Sequence, residues 1–303
     1  MRTAVWIIAL SAALQVRGAG ADTVPDETAR IADWRAKRLA SLTSEMGWLT
    51  PIALYWLKDG ENSFGRASTQ AFSVDDAVLA ADSGAFVVAD GRVRYVAHAS
   101  KAMTYLGKPI TTSLDLVSDA HAKPTELVAG SLHFMLIDRA GHLGIRVRDS
   151  VSPNRLQFKG LQYFPFRADW HIQAHFEPYV PEHRIPIVNI LGMTEEMTSP
   201  GAIVFERDGR SWRLDAILEA PGDRELFVMF SDATSGKQTY GAGRFLYVGL
   251  PTADHIDVDF NEAFNPPCAF TDFATCPLPP PQNRLALDID AGELKYERAH
   301  SRD

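Results

Sequence analysis

From Leu49 onward the chain breaks into short apolar runs, with turn signals at roughly ten-residue intervals and little helix between them. That rhythm constrains the fold more than any single motif. It predicts a mainly β protein made of two β-sandwich or barrel-like units. In the first half the expected strands are 86–89, 93–97, 103–106, 131–137 and 143–148. In the second half they are 170–176, 185–191, 202–206, 211–217, 225–230, 243–249, 255–260 and 285–289. Ala89-Asp-Gly-Arg92, Arg139-Ala-Gly-His142 and Arg207-Asp-Gly-Arg210 read as tight hairpin turns. Turn chemistry in Asp149-Ser-Val-Ser-Pro-Asn154 marks the boundary between the two units.

One α-helix is expected ahead of the strands. Pro25-Asp-Glu27 supplies a proline and acids for its first turn, and Gly47 ends it. Ile31, Trp34, Leu39 and Leu42 fall near helical spacing, which leaves Arg35, Lys37 and Arg38 on the wet side. The expected organisation is residues 1–21 as a signal peptide, 22–48 as the helical segment, 49–150 as a first β unit and 151–303 as a larger second one.

The leader has the parts of a secretory signal. Arg2 is followed by an apolar run from Ala4 to Leu14, and Ala19-Gly-Ala21 places small residues before Asp22. The run is short for a bilayer span, so the mature chain is expected to be periplasmic or secreted, without a transmembrane anchor. Cleavage would remove Arg2 and Arg17 and no acid, making the formal charge of −8 more negative still. Such an acidic chain is a poor partner for nucleic acid or an anionic membrane.

Asn265–Asn283 carries six prolines and both cysteines. Neither a helix nor a central strand holds that many prolines, so a long rigid loop is expected there. Export points to a Cys268–Cys276 disulfide, with a reduced pair and a two-thiolate metal site as the alternatives. No adjacent histidine completes a zinc set, and none stands ready to activate a thiol. Asn265 and Asn283 are placed to tie the loop down through their amides.

Gly47-Trp-Leu49, Trp56-Leu-Lys-Asp-Gly60, Gly144-Ile-Arg-Val-Arg-Asp149, Phe230-Ser-Asp-Ala-Thr-Ser-Gly236, Tyr240-Gly-Ala-Gly-Arg-Phe245, Asp259-Phe-Asn261, the proline–cysteine segment through Asn283 and Ala291-Gly-Glu293 together resemble the bacterial and archaeal family catalogued as domain of unknown function 1684. The resemblance brings no activity with it. A second one lies in the first half. Gly60-Glu-Asn-Ser-Phe-Gly-Arg66, with Tyr105-Leu-Gly-Lys-Pro109 further on, resembles the opening of a forkhead-associated β-sandwich. Arg66 stands where that family reads phosphothreonine, but no Ser-x-x-His follows. The resemblance implies a fold for the first unit and no more.

Chemistry-bearing residues gather on either side of the proline-rich segment. The Gly-rich stretch 231–244 offers Asp232, Ser235, Tyr240 and Arg244 beside backbone amides free to face an anion. On a strand, Asp259 and Asn261 share a face with His255 and Asp257, and Asp259 has a carboxylate's capacity to act as a base or to pair with Arg244. Arg146 and Arg148 share a face of their strand, one expected buried with an acid and the other wet. The resulting expectation is a small-molecule site, anionic ligands included, beside the proline-rich loop. Its ligand-binding candidates are Asp232, Ser235, Tyr240, Arg244, Asp259, Asn261 and Arg146, with Asp259 and Tyr240 as candidates for catalysis. No metal site is expected, and the sequence names no cofactor. His171 and His175 sit on a strand, about 13 Å apart and too far to share an ion. The competing expectation is a non-enzymatic interaction or structural module of the cell envelope, in which the loop is architecture.

Overall fold

The computed structural model describes residues 26–98 and 103–298. The expected signal peptide lies outside them. The described chain is mainly β, with one long helix, Glu27–Thr43. Asp26 caps that helix by accepting the Thr28 amide at 3.0 Å. Ile31 and Leu42 are buried as the spacing required, while Leu39 remains exposed.

The first unit is a sandwich of two sheets. One has the order Pro51–Trp56, His142–Asp149, Leu132–Arg139, Glu126–Ala129, Thr104–Tyr105, Lys108–Pro109. The other runs Phe72–Ser73, Gly60–Gly65, Gly84–Ala89, Arg92–Ala97, Ser113–Leu116. Phe64, Phe86, Tyr95, Leu127, Phe134, Ile145 and Val147 fill the space between them. Each such side chain contributes about 1.5–3 kcal/mol on leaving water. Strand 142–149 is buried on both faces. Ile145 and Val147 point into the sandwich, and Arg146 and Arg148 point away from it, against Trp48. Several strands of this unit escaped the sequence reading, Pro51–Trp56 and Gly60–Gly65 among them. Their burial does not alternate cleanly, so no period of two announces them.

The second unit is a six-stranded antiparallel sheet in the order Arg244–Gly249, Glu225–Phe230, Arg210–Leu218, Thr194–Arg207, His171–Val188, His255–Asp259. Its two end strands come back into contact, so the sheet is nearly closed into a barrel. Trp170, Phe205, Leu214, Phe230, Val258 and Phe260 fill the interior. The two expected strands at 170–176 and 185–191 are one, His171–Val188, whose pairing register shifts between Pro178 and His183.

The expected strand at 285–289 does not form. Leu285, Leu287 and Ile289 alternate into the barrel core as a strand would, but this stretch joins no ladder. Alternation sets which side chains are buried, while the backbone of the stretch bonds to residues 231–233, Leu285 donating to Ser231 and Leu287 accepting from Ala233, rather than to a strand of the sheet. The three hairpins form as expected, with Asp90–Gly91, Ala140–Gly141 and Asp208–Gly209 all at positive φ, the signature of tight primed turns.

Strand Glu225–Phe230 is buried at every position after Glu225. One face lines the barrel. On the other, Phe227 and Met229 join Ile185, Ile187, Ile217 and Phe245 under the proline-rich loop. This second apolar layer sets the position of the site.

Candidate functional site

The proline-rich segment is irregular, with short 3₁₀ turns at Pro267–Ala269 and Pro281–Asn283. Two asparagines anchor it. The Asn283 amide donates to the Asp215 and Met229 carbonyls, both at 2.9 Å, and its oxygen accepts the Asp215 N–H at 2.7 Å. Asn265 donates to the Leu294 carbonyl at 2.7 Å and to the Glu293 carboxylate at 3.0 Å.

The expected Cys268–Cys276 disulfide is absent: both cysteines are free and buried. Cys276 Sγ instead accepts the Cys268 backbone N–H at 3.1 Å, and both thiols pack into the apolar layer under the loop. Prolines and asparagine anchors already hold the segment, so its shape needs no covalent link. Burial pushes the Cys276 thiol pKa well up, which disfavours its thiolate.

The sequence candidates are occupied within the fold. Arg244 and Asp232 form a fully buried pair at 3.1 Å. Arg244 also donates to the carbonyls of Ala291 and Ile289, and Asp232 accepts the Ile289 amide and the Thr234 and Ser235 hydroxyls. Desolvation, opposed by Asp232, lowers the Arg244 pKa. Ser235 thus turns inward to its own loop. Tyr240 donates its hydroxyl to the Cys268 carbonyl at 3.0 Å.

Asp259 pairs with Arg30 of the helix rather than with Arg244. Its other oxygen accepts the Asn261 amide at 2.9 Å, and Asn261 in turn brackets the Arg167 backbone. Arg146 and Arg148 are both buried, and neither has an acid in contact among the described residues. Arg146 donates to the Phe273 carbonyl at 3.1 Å, clamping the loop to the first unit. Burial first, and then the neighbouring Arg139 and Arg148, lower the Arg146 pKa to about 10.

Beside these groups lies a cavity of about 500 Å³ that none of the seven ligand-binding candidates lines. Five parts of the fold meet around it: the helix with Trp48, the 139–140 hairpin of the first unit, the 187–197 hairpin, the open face of the barrel, and the loop at Pro267 and Thr275–Pro277. Phe227, Phe245, Tyr247, Phe264, Met197 and Trp48 form its walls. The barrel supplies the first three because strands 225–230 and 244–249 put Phe227, Phe245 and Tyr247 on their outer face, with Phe227 edge-on to Phe245 at 4.8 Å.

Four charged side chains punctuate these walls. Arg38 lies over the Phe264 ring at 4.7 Å, bonded through Nε to Glu293 at 2.8 Å and through Nη2 to the Asn265 carbonyl at 2.9 Å. Its Nη1 donates to no described residue. Arg139 is held by Asp119 through two nitrogens, at 2.9 and 2.7 Å, and by Thr275 at 2.9 Å. Glu219 accepts the Tyr247 hydroxyl at 3.0 Å. Desolvation against the cavity wall raises the Glu219 pKa, although the residue as a whole lies at the exposed rim. Desolvation, and then Glu219 itself, raise that of Tyr247. Glu195 completes the set from the hairpin.

Sequence reasoning missed these residues. Arg38 was expected in water and is instead largely buried against Glu293. Its signal was available only as a cation three positions after Arg35 on a helix whose partners are more than two hundred residues away. Glu219 follows a strand as an ordinary polar residue, and nothing in its neighbourhood announces an aromatic wall.

Residues 156–294 match the family model described as protein of unknown function (DUF1684). The match supports membership of this family. It spans the barrel, the proline-rich loop and the buried Asp232–Arg244 pair, all built from motifs inside that range. The chain is also similar to an uncharacterised protein of Haloarcula marismortui whose structure was solved by solution NMR, at 33% identity over 48% of this chain and 81% of that one, with a TM-score of 0.41. No curated protein matches.

Proposed function

We propose that this member of DUF1684 is an exported protein that binds a small molecule in the cavity beside the proline-rich loop. The observation that carries the proposal is the cavity's make-up. A volume of about 500 Å³ falls within the range of ligand sites, and aromatic and methionine walls with a few fixed polar groups are what such sites are built from. The ligand has an apolar or aromatic body that lies between Phe245, Phe264 and Met197. Its polar end, a carboxylate being the simplest, meets the free Nη1 of Arg38, while a donor group reaches Glu219. The leader pattern at 1–21 supports export.

The test is a thermal-shift panel of medium-chain and aromatic carboxylic acids on the purified protein, repeated with Met197→Trp to fill the cavity. Stabilisation by one chemical class, abolished by Met197→Trp, is expected. No stabilisation by any compound, or a shift that survives the filling substitution, would reject the site.

A second reading, an interaction module of the cell envelope, draws on Val188, Ile190 and Leu191, which are exposed on the 187–197 hairpin at the cavity's edge. Ile190→Asp and Leu191→Asp separate the two. They would abolish capture of a partner protein while leaving small-molecule stabilisation in place.

A further inference from the structure

A second concavity, of about 630 Å³, lies where three distant segments are stitched together by their backbones. The Leu294 amide donates to the Gln162 carbonyl at 2.9 Å, the Phe164 amide to Gly292 at 3.0 Å, and the Lys295 amide to Gln238 at 2.9 Å. Each segment brings one lysine to the same opening: Lys159, Lys237 and Lys295. The chain has eight lysines and a formal charge of −8, so three lysines on one concavity are a local reversal of its electrostatics.

Little opposes that charge. Among the described residues Lys159 and Lys237 form no ion pair, and the one carboxylate on the same opening, the exposed Glu297, lies 3.5 Å from Lys295, which leaves a net surplus of two positive charges there. Behind the wall, Arg35 lies 4.3 Å over the Tyr163 ring, bonded to the Phe164 carbonyl and to no acid among the described residues. The amides of Lys159, Gly160 and Leu161, in the open segment that borders the concavity, donate to no described residue. Three ammonium groups, a cation behind the floor and a run of free N–H donors make one kind of environment, suited to an anion carrying more than one charge.

We propose that this concavity is a binding site for a small multivalent anion, a phosphate ester or a polycarboxylate, held by Lys159, Lys237 and Lys295. It is separate from the cavity beside the proline-rich loop and does not depend on a ligand there. The three lysines are exposed loop residues, so replacing them leaves the core intact.

The experiment titrates the purified full chain with inorganic pyrophosphate and, separately, with citrate, by calorimetry at low salt, with acetate as the monovalent comparison. One or both multivalent anions are expected to bind more tightly than acetate, and which one binds distinguishes the phosphate from the carboxylate source. The triple substitution Lys159→Ala, Lys237→Ala, Lys295→Ala should weaken binding by at least about tenfold, as expected for losing several charge-assisted contacts. The matching triple Lys58→Ala, Lys108→Ala, Lys123→Ala, which makes the same change in net charge, should alter it by less than about twofold. Amine-reactive labelling of the native chain gives a second measurement free of any folding question. Pyrophosphate or citrate should protect Lys159, Lys237 and Lys295 and leave Lys58 modified. Failure of both anions to bind, equal weakening by the two triples, or absence of protection at the three lysines would each overturn the site.

Discussion

The proline-rich loop has two sides, and they use similar residues for opposite ends. On its inner side Asp232 and Arg244 are sealed from water: Asp232 and both Arg244 Nη nitrogens bond to each other and to the 289–291 segment, while Arg244 Nε is buried without a partner among the described residues. On its cavity side Glu219, Tyr247, Arg38 and Arg139 are also paired, but at a wall that opens to solvent. A buried charge pair is costly to break and contributes shape. A paired charge at an open wall keeps capacity for a ligand. The difference lies in what surrounds a carboxylate and a guanidinium rather than in their chemistry.

The contrast breaks most directly at the inner pair. Replacing Arg244 with Met should destabilise the protein by about 3–5 kcal/mol, because Asp232 is left as an uncompensated buried charge. A urea titration measures this, and a loss below about 1 kcal/mol would mean that the pair is not architectural.

Arg38→Met tests a residue that belongs to both sides. It leaves Glu293 with Asn265 alone and should cost about 1.5–3 kcal/mol, the worth of hydrogen bonds to a charged group. The same substitution should weaken binding of any acid found in the thermal-shift panel. Loss of stability with binding unchanged would assign Arg38 wholly to the frame.

Thiol chemistry sharpens the contrast without a substitution. Under non-reducing conditions the unfolded chain should release two reactive thiols, and the native chain should react far more slowly because Cys268 and Cys276 are both buried. A unfolded chain with no free thiol would restore the disulfide that the structure lacks.

The smallest effect is expected at the rim. Burial raises the Glu219 pKa above its ordinary 4.5, so ionising this group costs more in the folded than in the unfolded chain. Stability from this residue is therefore present at acid pH and is lost as pH rises through the folded pKa. Glu219→Gln should raise the thermal midpoint slightly at neutral pH, with the gain vanishing below the ordinary glutamate range. A gain that persists unchanged into acid would mean that the carboxylate is not strained by its surroundings.

Much of the frame was legible in the sequence. Three Xaa-Gly hairpins, the capped helix and most barrel strands follow from local chemistry, because turn residues and side-chain alternation act over a few positions. Asn265 and Asn283 could be read as anchors for the same reason: a loop dense in proline lacks its own donors and borrows them from side chains. The site was harder to see. Motif density draws attention to Asp232, Arg244, Asp259 and Asn261, and the structure shows each of them hydrogen-bonded to neighbours in the fold and none of them on the cavity wall. The cavity arises where helix, hairpin, barrel and loop approach one another, and Arg38, Arg139, Glu219 and Phe245 are unremarkable within their own segments. Arg146 shows the limit in one residue. Its strand and face were evident, but whether that face met water or the Phe273 carbonyl depended on a contact with a residue 127 positions away.

The helix fastenings carry a consequence for how the molecule is made. Arg30 reaches Asp259 and Glu262, and Arg38 reaches Glu293, partners 229 to 255 positions downstream. On the ribosome the helix therefore stays without these partners until the chain has been extended through residue 293. Contacts of such sequence separation slow folding. A chain cut short before Asp259 would thus keep the helix but lose all three of its partners, Asp259, Glu262 and Glu293.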